Sequence, residues 1–252
     1  MGYIEINNYK IYYNINGNGY PLILLHDGFY STETWDTVRE QLSKKFMVID
    51  YDRYGYGKSS HIETFEDEII EFSTKELKEF VNKLELKEFY LCGHCLGGAI
   101  AINYAIKNQN RVKKLILESV GLYSDNLIQV KCDWVFKPFE DLDNGFRDTL
   151  IKMHGDSLYS KTFWNIIRDD KKSYIMNRNY DFRDKVKKLK MPVFFIYGDS
   201  DFYFDIEHAI TGFKLLKRSN LWISPNTNHI VHIEKSENFI ENVINFLNNN
   251  CK

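Results

Sequence analysis

The stretch that decides the fold is Cys92-Gly-His-Cys-Leu-Gly-Gly98. It begins at the last residue of a short β-type run, residues 89–92, and leads into a helical run. It supports two different interpretations. Read from Cys92, it is a C-x-x-C dithiol, in which two sulfurs within one helical turn exchange a disulfide. Read from Gly93, it is the G-x-S-x-G turn that exposes a nucleophile between a strand and a helix, with Cys95 in the serine position.

The residues around Cys95 favour the second interpretation. A turn this tight leaves no room for side chains two positions before and two positions after the nucleophile, and Gly93 and Gly97 occupy both places. The N-terminus of the following helix supplies free N–H groups and positive dipole potential beneath the sulfur. The dithiol interpretation depends on four residues alone, and we expect Cys92, the last residue of a strand, to be a small core residue.

Strand-like and helix-like runs alternate along most of the chain. An antiparallel hairpin is predicted within residues 3–15, and helical stretches separate the later strand-like runs. These apolar runs lie at residues 22–26, 46–50, 89–92, 114–118, 192–197 and 221–223. The order predicts an α/β fold with a mostly parallel, eight-stranded sheet and helices on both of its faces.

One long segment, residues 122–188, interrupts this alternation. It contains no clear strand, and its large apolar side chains recur at roughly helical spacing. We expect a helical cap here, over the carboxyl ends of the strands, with residues 1–121 and 189–252 forming the core. Most of these side chains should pack within the cap and a subset should face the pocket. They are Trp134, Phe136, Phe139, Phe146, Met153, Tyr159, Phe163, Trp164 and Tyr174.

Composition and charge exclude several classes of partner. The chain has 252 residues, 44% of them hydrophobic, and a formal net charge of −2, so it has no basic field for a nucleic acid or an anionic membrane. No apolar run approaches about 18 residues and no leader is recognisable, which predicts a cytoplasmic protein. The four cysteines are too scattered for a secreted disulfide framework. A monomer or a homodimer is expected.

Several separated motifs resemble those of the α/β-hydrolase superfamily, in particular its capped, esterase-like members, over nearly the whole chain. Residues 24–28, Leu-Leu-His-Asp-Gly, resemble the oxyanion segment after the third strand, and residues 50–59 resemble the D-x-R-G-x-G-x-S loop after the fourth. Residues 198–201, Gly-Asp-Ser-Asp, resemble G-x-x-D, whose last residue is the family's acid. Residues 226–229, Asn-Thr-Asn-His, resemble G-x-G-H, whose histidine is the base.

The resemblance implies a catalytic triad of Cys95, Asp201 and His229, in the family's order of nucleophile, acid and base. It also implies an oxyanion hole formed by the backbone N–H groups of Gly28 and Leu96. Supporting roles are expected for Gly93 and Gly97 in the turn, for His94 in its variable position, and for His26, which should brace the oxyanion loop by hydrogen bonding.

This triad predicts hydrolysis of a carboxylic ester or thioester of a small, apolar or aromatic acyl group. Cys95 and His229 would rest as a thiolate–imidazolium pair and form a thioester acyl-enzyme. An acyltransferase could use the same intermediate. Alternatively, the cysteine is inert or was introduced in place of serine, and the site then binds small molecules without turnover. Epoxide hydrolases and haloalkane dehalogenases of this fold need an aspartate nucleophile, so Cys95 argues against both.

Some positions allow other interpretations. Asp199 or Glu118 could be the triad acid instead of Asp201. His232 follows His229 by three residues, but no further ligand cluster accompanies the pair, so we expect no metal and no cofactor. We interpret His232 as a residue at a helix start.

Three residues depart from the glycines of the family pattern. Asp27, Asn226 and Asn228 stand where glycine is common, and Asp and Asn both tolerate a positive φ better than most residues. An Asp27 carboxylate that faced an oxyanion hole would be unfavourable.

Overall fold

A computed structural model describes residues 1–124, 131, 133–172 and 180–249. It confirms the α/β fold class: eight strands form one sheet in the order β1-β2-β4-β3-β5-β6-β7-β8. Strands β1 and β2 pair antiparallel with each other, as do β2 and β4, and the pairs from β4 through to β8 are parallel. The strands are β1 Gly2–Ile6, β2 Tyr9–Asn16, β3 Pro21–Leu25, β4 Met47–Tyr51, β5 Phe89–His94, β6 Val112–Glu118, β7 Val193–Gly198 and β8 Ser219–Ser224.

Helices connect the parallel strands. The described α-helices are α1 Asp36–Ser43, α2 Ile69–Lys83, α3 Leu96–Lys107, α4 Asn144–His154, α5 Ser157–Asp169, α6 Arg183–Val186, α7 Ile206–Leu215, α8 Val231–Glu234 and α9 Ser236–Asn248. Helices α1 and α9 pack together on one face of the sheet, and α2 and α3 pack together on the other.

Two elements differ from the predicted bounds for visible reasons. The predicted helical stretch between the strand-like runs 22–26 and 46–50 begins as a 3₁₀ turn, Thr32–Trp35, because the Ser31 side chain caps it and the Thr32 N–H binds Asp52. Strand β8 is longer than the predicted 221–223, because it pairs with β7 along its full length.

The sheet divides the apolar core into two clusters, and the two cysteines of residues 92–98 lie in different clusters. Cys92 is fully buried among residues of α1 and α9, whereas half-buried Cys95 packs on the α2 and α3 side. The sheet therefore separates the two thiols, which cannot form a disulfide while β5 is intact. This placement contradicts the dithiol interpretation.

The described part of the segment between β6 and β7 contains α4, α5, α6 and the 3₁₀ turns Asp133–Phe136 and Phe139–Asp141. Phe139, Tyr159, Phe163 and Trp164 are buried, while Trp134, Phe136, Phe146 and Met153 keep part of their surface accessible. Tyr174 lies outside the described residues. The division into core and cap stays a prediction. Within the described residues, no helix is long and apolar enough to cross a bilayer.

Candidate active site

Cys95 lies on a sharp turn between β5 and α3. Its backbone has φ 51° and ψ −116°, a conformation that non-glycine residues rarely adopt and that is held here by the surrounding structure. The Cys95 N–H donates to the carbonyl of Glu118 on the neighbouring strand, at 2.9 Å. The turn therefore presents the sulfur at the carboxyl end of the sheet, directly before the helix N-terminus.

The turn around Cys95 leaves no room for a Cβ atom at the neighbouring glycines. A Cβ atom on Gly93 would lie 2.4 Å from the carbonyl oxygen of Gly97, and one on Gly97 would lie 2.4 Å from that of Leu25. Gly98 is equally confined, because a Cβ there would meet a Val120 methyl at 2.1 Å. These distances are well below any real carbon contact, so the chain can make this turn only with glycine at these places.

His229 and Asp201 come together beside the sulfur. The Nδ1 atom of His229 lies 2.9 Å from Oδ2 of Asp201, and both side chains are buried. The Oδ1 atom of Asp201 accepts the backbone N–H groups of Tyr203 and Phe204, at 2.8 and 3.1 Å. A hydrogen bond also joins His229 to Cys95, so the three predicted triad residues form one connected set.

The charges of this set shift its pKa values. Burial alone would lower the pKa of His229, but the charges of Asp201 and Cys95 and the hydrogen bonds to both raise it well above its ordinary value. Burial alone would raise the pKa of Asp201, yet His229 and the two backbone donors lower it overall. The pair thus favours an ionised carboxylate beside a protonated imidazole.

The two alternative acids have other partners. Asp199 is exposed, and its carboxylate accepts the N–H of Thr227 at 3.2 Å. Glu118 is fully buried and binds His232 instead, with its Oε2 2.8 Å from Nδ1 of that ring. Asp201 is the carboxylate that contacts His229.

Two backbone N–H groups are available for an oxyanion. Leu96 is the first residue of α3, so its N–H has no acceptor within the helix. In the described part of the chain, no hydrogen bond uses the N–H of Gly28. A Cβ on Gly28 would touch the Leu96 side chain at 3.6 Å, which shows that the two residues are neighbours. The predicted donors therefore lie together at the start of α3.

Side-chain donors hold the carbonyl groups of the oxyanion loop, residues 26–29. Arg53 donates to the carbonyls of His26 and Asp27. The Tyr56 hydroxyl donates to the Gly28 carbonyl at 3.2 Å. The Phe29 carbonyl accepts the Nε2–H group of His154 at 2.7 Å. All four carbonyls are thus fixed from outside the loop.

His154 and Arg53 were not predicted to take part in the site. His154 ends α4, and its Nδ1 accepts the Gly57 N–H at 3.0 Å while its Nε2–H holds Phe29. Burial lowers the pKa of His154 to about 4, so the ring is neutral near pH 7 and keeps both roles. Only the tertiary fold brings α4 to the oxyanion loop, and no local sequence pattern signals this contact.

His26 and Asp27 stabilise the same loop from within. His26 donates from Nδ1 to the Asp27 carbonyl at 3.0 Å and accepts the Arg53 N–H on Nε2 at 3.2 Å. The Oδ1 atom of Asp27 accepts the N–H groups of Phe29 and Tyr30, at 2.9 and 2.7 Å. The expectation of a positive φ is wrong for Asp27 and Asn228 and correct for Asn226. The Asp27 carboxylate instead satisfies two loop N–H groups.

A second buried pair supports the segment that carries His229. Glu118 accepts both the backbone N–H and the Nδ1–H of His232, and Nε2 of that ring lies 2.9 Å from the Thr34 hydroxyl. His94 donates from Nε2 to the His229 carbonyl at 3.1 Å. Its Nδ1 lies 4.0 Å from the Asp27 carboxylate, and burial lowers the pKa of His94 to about 4. These contacts join the base segment to β5 and β6.

Comparison with known families agrees with this geometry. A family model described as the alpha/beta hydrolase fold matches residues 20–164, more than half of the chain. The chain belongs to the α/β-hydrolase family. The matched part of this hydrolase includes the oxyanion loop and Cys95, while Asp201 and His229 lie beyond it.

Individual relatives are distant. A putative non-heme chloroperoxidase from Synechocystis sp. is 25% identical over 266 residues, which cover 94% of each chain. A soluble epoxide hydrolase from Corynebacterium sp. is 33% identical over 112 residues, or 44% of this chain and 38% of that protein. The matches thus span well under half the length of some curated relatives, including 33% of one from Mycobacterium tuberculosis.

Solved structures show the same fold. An alpha/beta hydrolase enzyme from a Medee basin deep-sea metagenome library has a TM-score of 0.84 at 19% identity, covering 99% of this chain and 98% of its own. An enol-lactonase from Burkholderia xenovorans has a TM-score of 0.76 at 18% identity, covering 98% of this chain and 100% of its own. Both likenesses concern the fold.

Proposed function

We propose that this α/β-hydrolase cleaves a carboxylic ester or thioester through Cys95, His229 and Asp201. The observation that carries the proposal is a half-buried sulfur on a strained turn, hydrogen-bonded to a histidine whose other ring nitrogen lies 2.9 Å from a buried carboxylate. This is the arrangement of nucleophile, base and orienting acid that acyl transfer requires.

In the first half-reaction, the Cys95 thiolate attacks the carbonyl carbon of the substrate. The carbonyl π electrons move to oxygen, and the N–H groups of Gly28 and Leu96 stabilise the resulting oxyanion. When the intermediate collapses, the carbon–oxygen or carbon–sulfur bond to the leaving group breaks. His229 transfers its proton to the departing alkoxide or thiolate, and a thioester on Cys95 remains.

In the second half-reaction, the now neutral His229 takes a proton from water, and the hydroxide attacks the thioester carbonyl. The same two N–H groups stabilise the second oxyanion. Its collapse breaks the carbon–sulfur bond, releases the carboxylic acid and restores the Cys95 thiolate beside protonated His229. Asp201 stays ionised throughout and stabilises the imidazolium, in keeping with the raised pKa of His229 and the lowered pKa of Asp201.

The proposal is tested by measuring hydrolysis of p-nitrophenyl acetate and of an acetyl thioester. Cys95→Ala should lower kcat/KM by about 10³-fold or more, because the nucleophile is lost. Cys92→Ala is a matched control, since that thiol is buried on the other face of the sheet. Turnover that survives in Cys95→Ala and fails in Cys92→Ala would overturn the assignment.

A second experiment distinguishes hydrolysis from acyl transfer, by following the decay of the thioester on Cys95. The wild-type thioester should decay in buffer alone, which indicates water as the acceptor. A thioester that persists until an amine or thiol is added would contradict hydrolysis and indicate an acyltransferase.

A further inference from the structure

Three aromatic rings form an arc between the base and the oxyanion loop. Tyr203 packs edge-on against His229, with ring centroids 4.6 Å apart and planes at 71°. Trp134 lies 6.1 Å from Tyr203 and 5.8 Å from Phe29, centroid to centroid. Phe29 directly follows Gly28, the predicted oxyanion donor. The arc of Tyr203, Trp134 and Phe29 therefore connects the two groups between which the carbonyl of a substrate must lie.

The arc keeps part of its apolar surface accessible, as does Cys95. Behind it, Trp164 is fully buried and lies 5.9 Å from Trp134, with the two planes only 20° apart. Phe146 packs edge-on against Trp134 at 5.3 Å. The arc is thus held by other rings and reaches the His229 base at Tyr203. Ligand sites usually combine apolar walls of this kind with few polar groups.

The charges around the arc do not suit an anionic acyl group. Among the described residues, no lysine or arginine stacks on Phe29 or Trp134. Asp201, the acidic side chain nearest to Tyr203, is paired with His229. A charged acyl group would lose its hydration against these rings, with no described lysine or arginine stacked on Phe29 or Trp134 to offset the loss.

We propose that the acyl group is a neutral aromatic one, and that Trp134 is the main residue that selects it. This inference rests on the proposed acyl-enzyme function, because it places the acyl carbonyl at Cys95. The ring of the acyl group then packs on Trp134, between Tyr203 and Phe29. Aromatic pairs at centroid distances of about 4.5–7 Å attract one another in edge-on or offset arrangements, which an alkyl chain of equal size cannot reproduce.

The kinetic test compares p-nitrophenyl acetate, phenylacetate and hemisuccinate. The wild type should prefer phenylacetate to acetate by about tenfold or more in kcat/KM, and the hemisuccinate should be the poorest substrate. Trp134→Ala should remove the preference by lowering kcat/KM for phenylacetate much more than for acetate, whereas Trp134→Phe should retain most of it. Trp222→Ala, which alters a half-buried tryptophan of β8, should leave the preference intact.

A binding test works without turnover. Phenylacetamide should protect Cys95 from iodoacetamide at a lower concentration than acetamide does, and Trp134→Ala should abolish this difference. Selective protection without ester cleavage would support the aromatic site and contradict the proposed hydrolase function. Equal protection by both amides, or a preference that persists in a folded Trp134→Ala variant, would overturn the inference while leaving the acyl-enzyme proposal standing.

Discussion

Cys95 and Cys92 are separated by two residues and have opposite surroundings. Cys95 is half-buried, has a positive φ and shares a hydrogen bond with His229. Cys92 is fully buried, and burial together with the charge of Glu118 raises the pKa of its thiol well above the ordinary value. Because the thiolate is the reactive form of cysteine, Cys95 rather than Cys92 should behave as a nucleophile.

Alkylation by iodoacetamide should show this difference. We expect fast labelling of Cys95 at neutral pH and no labelling of Cys92 in the native protein. Peptide mapping by mass spectrometry measures both, and Cys95→Ala is the control. Labelling of Cys95 at neutral pH that is no faster than labelling of a free thiol such as glutathione would contradict the assignment of Cys95 as the nucleophile.

The Asp201–His229 pair should stabilise the fold in a defined pH window. The pKa of Asp201 is lowered, so its contribution is present above about pH 4 and is lost as the pH falls through the folded value. The pKa of His229 is raised, so its contribution is complete below about pH 6.5 and is lost as the pH rises through the folded value. Both contributions are complete between these limits.

Asp201→Asn should therefore destabilise the protein by about 3 kcal/mol near pH 5.5, because it leaves a buried imidazolium without its partner. The difference from wild type should shrink towards pH 9. Urea unfolding at both pH values measures it. A difference that grows with pH would show that the pair is neutral in the folded state.

At the scale of elements, the turn from β5 to α3 is determined by backbone contacts. Gly97→Ala should lower the free energy of unfolding by about 3 kcal/mol, because its Cβ would lie 2.4 Å from the Leu25 carbonyl. Gly145→Ala in α4 is the control, since a Cβ there meets only the Asp143 carboxylate, at 3.2 Å. Urea unfolding should show little change for Gly145→Ala. Equal stability of the two variants would mean that the turn relaxes.

The oxyanion loop depends on contacts from elements distant in the chain. His154→Phe keeps the ring that stacks on Phe163 but removes the donor to Phe29 and the acceptor for Gly57. We expect kcat for an ester to fall about tenfold with KM little changed, because the loop no longer holds its N–H in place.

Tyr159→Phe provides the matched control for His154→Phe. The Tyr159 hydroxyl joins α5 to the Gly55 carbonyl at 2.8 Å, outside the oxyanion loop. This variant should lose stability and keep kcat. If both variants lower kcat equally, His154 affects kcat only by stabilising the fold and does not position the oxyanion loop.

The local motifs could be predicted from sequence, because short-range rules determine them. The turn around Cys95 needs small residues at fixed spacing, and alternating apolar runs determine the order of strands and helices. The contacts of Arg53, His154 and Glu118 could not be predicted this way. Each of these contacts depends on which elements become neighbours in the fold. No local sequence pattern predicts the hydrogen-bond partner of a buried polar side chain.

At the scale of the whole molecule, the sheet determines the chemistry that residues 92–98 can perform. It separates Cys92 from Cys95 and brings β5, β6 and the segment with His229 to one edge. Asp201 and His229 follow β7 and β8, more than 100 residues after Cys95 in the chain. Ligand sites of open α/β sheets lie at this edge, so the fold assembles the three residues where a substrate can reach them.

The central claim is that Cys95 carries the acyl group during turnover. The most direct measurement mixes the protein with p-nitrophenyl phenylacetate, quenches it in acid within the first turnover and maps the peptides by mass spectrometry. The account predicts one phenylacetyl group on the peptide that contains Cys95, and none on the same peptide of Cys95→Ala. Ester cleavage without this adduct, or an adduct on another residue, would contradict it.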